Sequence, residues 1–219
     1  RVRTEVVHGD IRVGELFAGI GGFGLAAERC GMAVAWASEI EPFAGRCHAA
    51  RFPGCRQIGD VRAWDPDPAA DAVDLITAGF PCQDLSVAGK RKGLAGEQSR
   101  LFWELVRVAG RLQPRWLLVE NVPGLFSSDG GRDFLTVLAA LDGLGYGVAW
   151  RVLDAQFFGL AQRRQRVFLV GHLGAPCPPE VLFEPEGVSG DTAPGREAGT
   201  GVAGGPAACL NGGGNAGGF

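Results

Sequence analysis

No Cys-x-x-Cys pair occurs among the six cysteines, Cys30, Cys47, Cys55, Cys82, Cys177 and Cys209, and His8, His48 and His172 lie far apart. Neither a zinc site nor a disulfide framework is therefore expected, and no metal is assigned. No apolar run is long enough to span a bilayer, and Arg1-Val2-Arg3-Thr4-Glu5 lacks the apolar stretch of a secretory signal. A soluble, cytoplasmic protein without a membrane partner is the expectation. Excess charge is scarce too: the formal net charge is −3, which gives no global attraction to nucleic acid. Such attraction would have to come from local clusters. Two exist, Lys90-Arg91-Lys92 with Arg100, and Arg163, Arg164 and Arg166. A basic run taken alone is usually a solvated face, so both need support from their neighbours.

With 219 residues, 46% of them hydrophobic, the chain can bury one sizeable core. Up to about residue 173, short apolar runs alternate with longer amphipathic stretches, the pattern of an α/β domain with a parallel sheet wrapped by helices. Strands are expected near Ile11 to Phe17, Ala33 to Ser38, Val73 to Ala78, Trp116 to Glu120, Gly147 to Asp154 and Val167 to His172. Helices are expected near Phe23 to Cys30, Pro42 to Arg51, Arg100 to Leu112 and Phe134 to Leu144. A non-helical segment joins the last two strands, which predicts an antiparallel pair at the end of the sheet. Beyond Gly174, prolines mix with many glycines and periodicity fades, so 1–173 is expected to be the folded domain and 174–219 a Gly/Pro-rich tail. The chain starts with Arg and stops in a glycine tract, and an incomplete product is expected.

Gly19-Ile20-Gly21-Gly22-Phe23-Gly24 follows an expected strand, opens an expected helix and satisfies G-x-G-x-x-G, with Glu39 closing the next strand about 20 positions on. Glycines at such a turn let a ligand approach the backbone, and the carboxylate can accept from both ribose hydroxyls. An adenosine-type cofactor fits, either a dinucleotide or S-adenosylmethionine. Asp60, in Gly59-Asp60-Val61, lies where a third strand would end. It is open to two readings, an acceptor for an adenine amino group or an ordinary turn aspartate.

Asp74-Leu-Ile-Thr-Ala-Gly79-Phe-Pro-Cys82-Gln83 carries a buried strand into a Gly/Pro loop and delivers Cys82 to the carboxyl end of the sheet, where doubly wound folds bind ligands. An isolated cysteine is more often a packing residue; here Pro81 and Gln83 argue for access. The next apolar strand, Trp116-Leu-Leu-Val119, ends in Glu120-Asn121-Val122-Pro123. Adjacent strand ends thus present a thiol and an acid.

These residues resemble the cytosine-5 DNA methyltransferase family. Glu15-Leu-Phe-Ala-Gly-Ile-Gly-Gly-Phe23 is similar to its cofactor loop, Gly79-Phe-Pro-Cys-Gln83 to its Pro-Cys nucleophile motif, Glu120-Asn-Val122 to its Glu-Asn-Val motif and Gln162-Arg-Arg-Gln-Arg166 to its Gln-x-Arg-x-Arg segment, in the family's order. The resemblance implies a Rossmann-like S-adenosylmethionine-dependent fold, mostly parallel with an antiparallel strand at the end. It implies Cys82 as nucleophile toward carbon 6 of cytosine and Glu120 as acid, with Arg164 and Arg166 supplying positive charge. It assigns Phe17, Gly19, Ile20, Gly21, Glu39, Ile40, Asp60, Val61, Pro81 and Leu101 to the cofactor. It assigns Gln83, Ser86, Lys90, Arg91, Lys92, Asn121 and Arg163 to double-stranded DNA, the base being extruded from the helix. Family members continue into a target-recognition region and a final cofactor segment; no equivalent is evident here, so residues 174–219 are expected to enter that region, completed by further chain or by a second polypeptide. A bacterial or phage restriction-modification enzyme is implied. Transfer RNA as substrate, a non-catalytic binding fragment and, from the glycine loop alone, a nicotinamide dehydrogenase stay open as alternatives.

Overall fold

A computed structural model describes residues 11–80, 101–182 and 209–210. Eight strands form one sheet in the order β3-β2-β1-β4-β5-β7-β6-β8. β1 (Arg12–Leu16), β2 (Ala33–Ser38), β3 (Arg56–Gln57), β4 (Leu75–Ala78) and β5 (Trp116–Asn121) are mutually parallel. β6 (Tyr146–Asp154) and β7 (Gln165–Leu173) pair antiparallel over their full lengths, and β7 also pairs antiparallel with β5. The reversed strand β7 therefore lies between β5 and β6, and β6 runs in the same direction as β1, β4 and β5. β8 (Cys209–Leu210) adds antiparallel to the outer edge of β6.

Among the described residues, four α-helices cover the sheet. α3 (Leu101–Leu112) buries Phe102, Leu105, Val108 and Ala109, and α4 (Arg132–Gly143) buries Phe134, Val137, Leu138 and Leu141. The α4 set follows the i, i+3, i+4, i+7 spacing and the α3 set i, i+3, i+6, i+7, each of which puts its side chains on one helical face. They pack with Leu16, Ile76, Ala78, Leu117 and Val119 in the main core; each such burial is worth roughly 2 kcal/mol. α1 (Gly22–Arg29) and α2 (Pro42–Arg51) cover the opposite face, where Phe52 and Ala37 pack with Ala18, Leu25 and Val34. Pro42 sits at the first turn of α2, where its missing N–H costs nothing, and the Glu41 carboxylate accepts from the Phe43 and Ala44 amides at 3.0 and 2.6 Å.

The expected strands and helices fall within a residue or two of the observed ones, except that Arg100 lies outside the described residues. β8 was not expected, since two residues are too few to show a period, and β3 ends at Gln57, short of Asp60 where a third strand was expected to end. Packing continues past residue 173. Cys177 is 2% exposed against Ala149 and Val170, and a side chain at Gly147 would strike the backbone of residues 175–177. Among the described residues no helix is long and apolar enough to cross a membrane, and no group of three His, Cys, Asp or Glu could hold a metal ion.

Candidate active site

The glycine turn after β1 is shaped by backbone conformations that side chains resist. Phe17, Gly19 and Gly21 have φ of 57, 57 and 92°. For Phe17, a bulky residue, this is a rarely populated region. A Cβ on Gly21 would strike Phe52, whereas one on Gly19 would meet nothing within 4 Å. Gly19 thus fronts open space, as close approach of a ligand to the backbone requires.

Glu39, just after β2, staples this turn to the next one. Its Oε2 accepts from the Gly19 amide at 2.7 Å and its Oε1 from the Glu41 amide at 2.7 Å. A carboxylate offers about four lone-pair sites, so Glu39 retains acceptor capacity while holding both loops. Ile20 and Ile40 flank it, 67% and 60% exposed. Leu101, half-buried, opens α3.

Asp60 caps a single 3-10 turn, Val61–Ala63, and Val61 is buried beneath it. Ser38 reaches the same corner through its hydroxyl, which donates to the Gly59 carbonyl at 2.7 Å. Both Asp60 oxygens accept from Arg62: the backbone amide at 3.0 Å, Nε at 2.9 and 3.1 Å and Nη2 at 2.8 Å. The Arg62 side chain holds the Asp60 carboxyl below its usual range. An adenine amino group arriving there would compete with that guanidinium.

Beneath the glycine turn lies a buried polar chain that sequence reasoning missed. Glu15, 1% exposed, accepts from the Gly24 amide at 2.7 Å on Oε1 and meets His48 Nε2 at 2.9 Å on Oε2. Gln57 Nε2 donates to the Cys55 carbonyl at 3.3 Å and lies 3.2 Å from His48 Nδ1. The Cys55 contact orients the Gln57 amide, which makes Nδ1 the acceptor and Nε2 the proton-bearing donor to Glu15. A carboxylate inside an apolar strand signals such a partner, though not which residue supplies it.

The second half of the site forms where β4 and β5 end. Glu120 Oε1 pairs with Arg166 Nε at 2.7 Å, each side chain 23% exposed. Its Oε2 faces the end of β4, 3.3 Å from where a Cβ on Gly79 would sit; glycine there lets the acid approach the segment leading to Pro81 and Cys82. Asn121, expected to contact DNA, is instead 2% exposed. Its Nδ2 donates to the Phe80 carbonyl at 3.4 Å and its Oδ1 accepts from the Val122 amide at 2.8 Å. The alternation along β5 turns Asn121 to the same face as Leu117 and Val119, so it braces the loop. Cys82, Pro81, Gln83, Ser86, Lys90, Arg91 and Lys92 lie outside the described residues.

A cleft of about 410 Å³ opens beside Glu120, lined also by Leu153, Ala155, Phe158, Arg164 and Arg166. Asp154, 6% exposed, closes the base of the β6–β7 connection by accepting from the Gln156 amide at 3.2 Å, its side chain at 3.0 Å and the Arg164 amide at 3.0 Å. Burial raises the Asp154 carboxyl, but these hydrogen bonds outweigh it and hold the group below its usual range. Arg163 is exposed beside the cleft. Glu120, Arg164 and Arg166 are thus brought together at one mouth, while the Gly19–Glu39–Asp60 group occupies the ends of β1, β2 and β3 along the same sheet edge.

Comparison with known proteins identifies the family. The chain is 42% identical over 178 residues to the Type II methyltransferase M.Sau3AI of Staphylococcus aureus, covering 74% of this chain and 43% of that one. It is 40% identical over 157 residues to the Type II methyltransferase M.BsuFI of Bacillus subtilis, covering 72% and 38% respectively. The chain thus spans about two fifths of the length of these relatives. A crystal structure of a candidate DNA modification methyltransferase encoded within an E. coli prophage superposes with a TM-score of 0.65 at 27% identity, over 78% of this chain and 50% of that one. Residues 11–179 match the family model for C-5 cytosine-specific DNA methylase, and the chain belongs to that family.

Proposed function

We propose that the chain carries the chemistry of methyl transfer from S-adenosylmethionine to carbon 5 of cytosine in double-stranded DNA, through a covalent adduct of Cys82 with a base extruded from the helix. The observation that carries this is the Glu120–Arg166 pair at the mouth of a base-sized cleft, with the second oxygen of Glu120 facing the end of the strand that leads to Cys82.

The open front of Gly19, the spare acceptor capacity of Glu39 and the exposed Ile20 and Ile40 suit the ribose and adenine of S-adenosylmethionine, with Phe17, Gly21, Val61, Pro81 and Leu101 completing the wall. Bound there, it supplies an electrophilic methyl group. Carbon 6 of cytosine accepts a thiolate only when the ring nitrogen gains a proton or strong hydrogen bond, which Glu120 would supply. Arg166 fixes the Glu120 rotamer, and Arg164 adds positive charge at the mouth. Addition of Cys82 makes carbon 5 nucleophilic; after methylation, loss of the carbon-5 proton expels Cys82. Extrusion is required because the stack hides the carbon. Lys90, Arg91, Lys92 and Arg163 would contact phosphates, with Gln83 and Ser86 near the displaced base.

Transfer of a labelled methyl group from S-adenosylmethionine to mixed-sequence duplex DNA and, in parallel, to transfer RNA tests the reading. Label on carbon 5 of DNA cytosine, lost in Cys82→Ser, is expected; label confined to transfer RNA, or retained by the variant, overturns it.

A further inference from the structure

The β6–β7 connection carries the most exposed aromatic rings among the described residues. Phe157 is 72% exposed and Phe158 67%, and Leu160 follows at 58%. Exposed rings normally carry a solvation penalty that a soluble surface avoids unless a partner covers them. The connection is well anchored: the Ala155 amide donates to the Arg164 carbonyl at 3.0 Å, and Asp154 gathers three donors at its base. Gly159, at φ 80°, turns the chain back between the two aromatics and Leu160. The rings are thus displayed on a braced turn.

Their position follows from the topology. β6 runs parallel to β5, so its carboxyl end opens on the edge that presents Glu120. Register pairs Asn121 with Val167 and Val167 with Val152, so β6 continues two residues beyond the end of β5 before the turn begins. The hairpin therefore projects past Glu120 toward any substrate in the cleft. Phe158 and Leu160 line the cleft, whereas Phe157 does not. Residues 155–165, Ala-Gln-Phe-Phe-Gly-Leu-Ala-Gln-Arg-Arg-Gln, contain two arginines and no carboxylate, and Arg163 and Arg164 are exposed. Aromatic rings beside cations that form no ion pair among the described residues match the alternating base faces and phosphates of nucleic acid.

Resting on the function proposed above, we propose that this turn is a DNA-contact surface in which Phe157 packs its ring against the base stack next to the extruded cytosine, while Arg163 holds a neighbouring phosphate. An apolar ring there covers base surface left open when the cytosine leaves the stack.

The test titrates fluorescently labelled mixed-sequence DNA duplexes with the full chain, Phe157→Ala, Phe157→Trp and Arg163→Ala at several salt concentrations. Phe157→Ala is expected to weaken binding about fivefold or more with an unchanged salt slope, Phe157→Trp to restore it, and Arg163→Ala to reduce the slope by about one. A photoreactive benzoylphenylalanine at position 157 should crosslink to DNA bases. Equal affinity of Phe157→Ala and the parent, a lowered melting temperature of Phe157→Ala, or crosslinking to protein instead of DNA would overturn the proposal alone. Absence of DNA binding by the parent chain would remove the DNA function with it.

Discussion

Gly22 and Gly24 sit two residues apart in the same helix, yet alanine should act on them in opposite directions. Gly24 is buried, and a Cβ there would overlap Glu15 Oε2 and approach Phe52 Cζ to 2.9 Å and Glu15 Cδ to 3.1 Å. The carboxylate has little room to move away, because one oxygen holds the Gly24 amide at 2.7 Å and the other holds His48 at 2.9 Å. Overpacking costs about 1–3 kcal/mol, and stretching a buried hydrogen bond to a charged group about 1.5–3 kcal/mol. The gain in helix propensity offsets about 1 kcal/mol. Gly24→Ala should therefore destabilise by about 2–4 kcal/mol, lowering the urea midpoint by about 1–2 M for a slope near 2 kcal/mol/M. Gly22 is exposed, with nothing within 4 Å of its added Cβ, so Gly22→Ala should stabilise by about 0.4–1 kcal/mol. Equilibrium unfolding followed by circular dichroism reads both. A Gly24→Ala midpoint at or above the parent's would refute the role given to the Glu15 carboxylate.

Glu39→Ala should weaken S-adenosylmethionine binding by roughly tenfold or more, as expected for lost hydrogen bonds to a charged acceptor; calorimetry giving an unchanged affinity would remove Glu39 from the site. The Phe43 and Ala44 amides lower the Glu41 carboxyl pKa. A depressed folded-state pKa stabilises above the unfolded value, about 4.3 for glutamate, and that stability is lost as pH falls through the folded value. The stability gap between the parent and Glu41→Ala should accordingly be full at pH 7 and shrink below about pH 4, and a gap independent of pH would contradict the cap. Burial, aided by the Glu15 charge, pushes the Cys55 thiol up to about 11. Iodoacetamide at pH 8 should therefore label exposed Cys30 well before Cys55 in the folded chain, by peptide mass spectrometry; equal rates would contradict the packing at Cys55.

The long elements could be read because their periods are strong: α3 repeats Phe102, Leu105, Val108 and Ala109 on one face, and β5 alternates through Leu117, Val119 and Asn121. That alternation also carried an unused signal, since it turns Asn121 inward. The insertion of β7 between β5 and β6 could not be read locally, because strand order is set by long-range pairing. The two-residue strands β3 and β8 have no period to detect. Glu120 and the glycine turn were recognisable from strand-end position and motif. Arg62 on Asp60 and His48 on Glu15 were not, the latter joining residues 33 positions apart through a helix and a strand.

The most direct test mixes the chain with S-adenosylmethionine and duplex DNA bearing 5-fluorocytosine in varied contexts, where fluorine at carbon 5 prevents the proton loss that frees the thiol. Mass spectrometry of the digested, denaturation-resistant product should place the nucleotide on Cys82, with no adduct in Cys82→Ser and little in Glu120→Gln. Attachment at any other cysteine, or no adduct with the parent chain, would contradict the account.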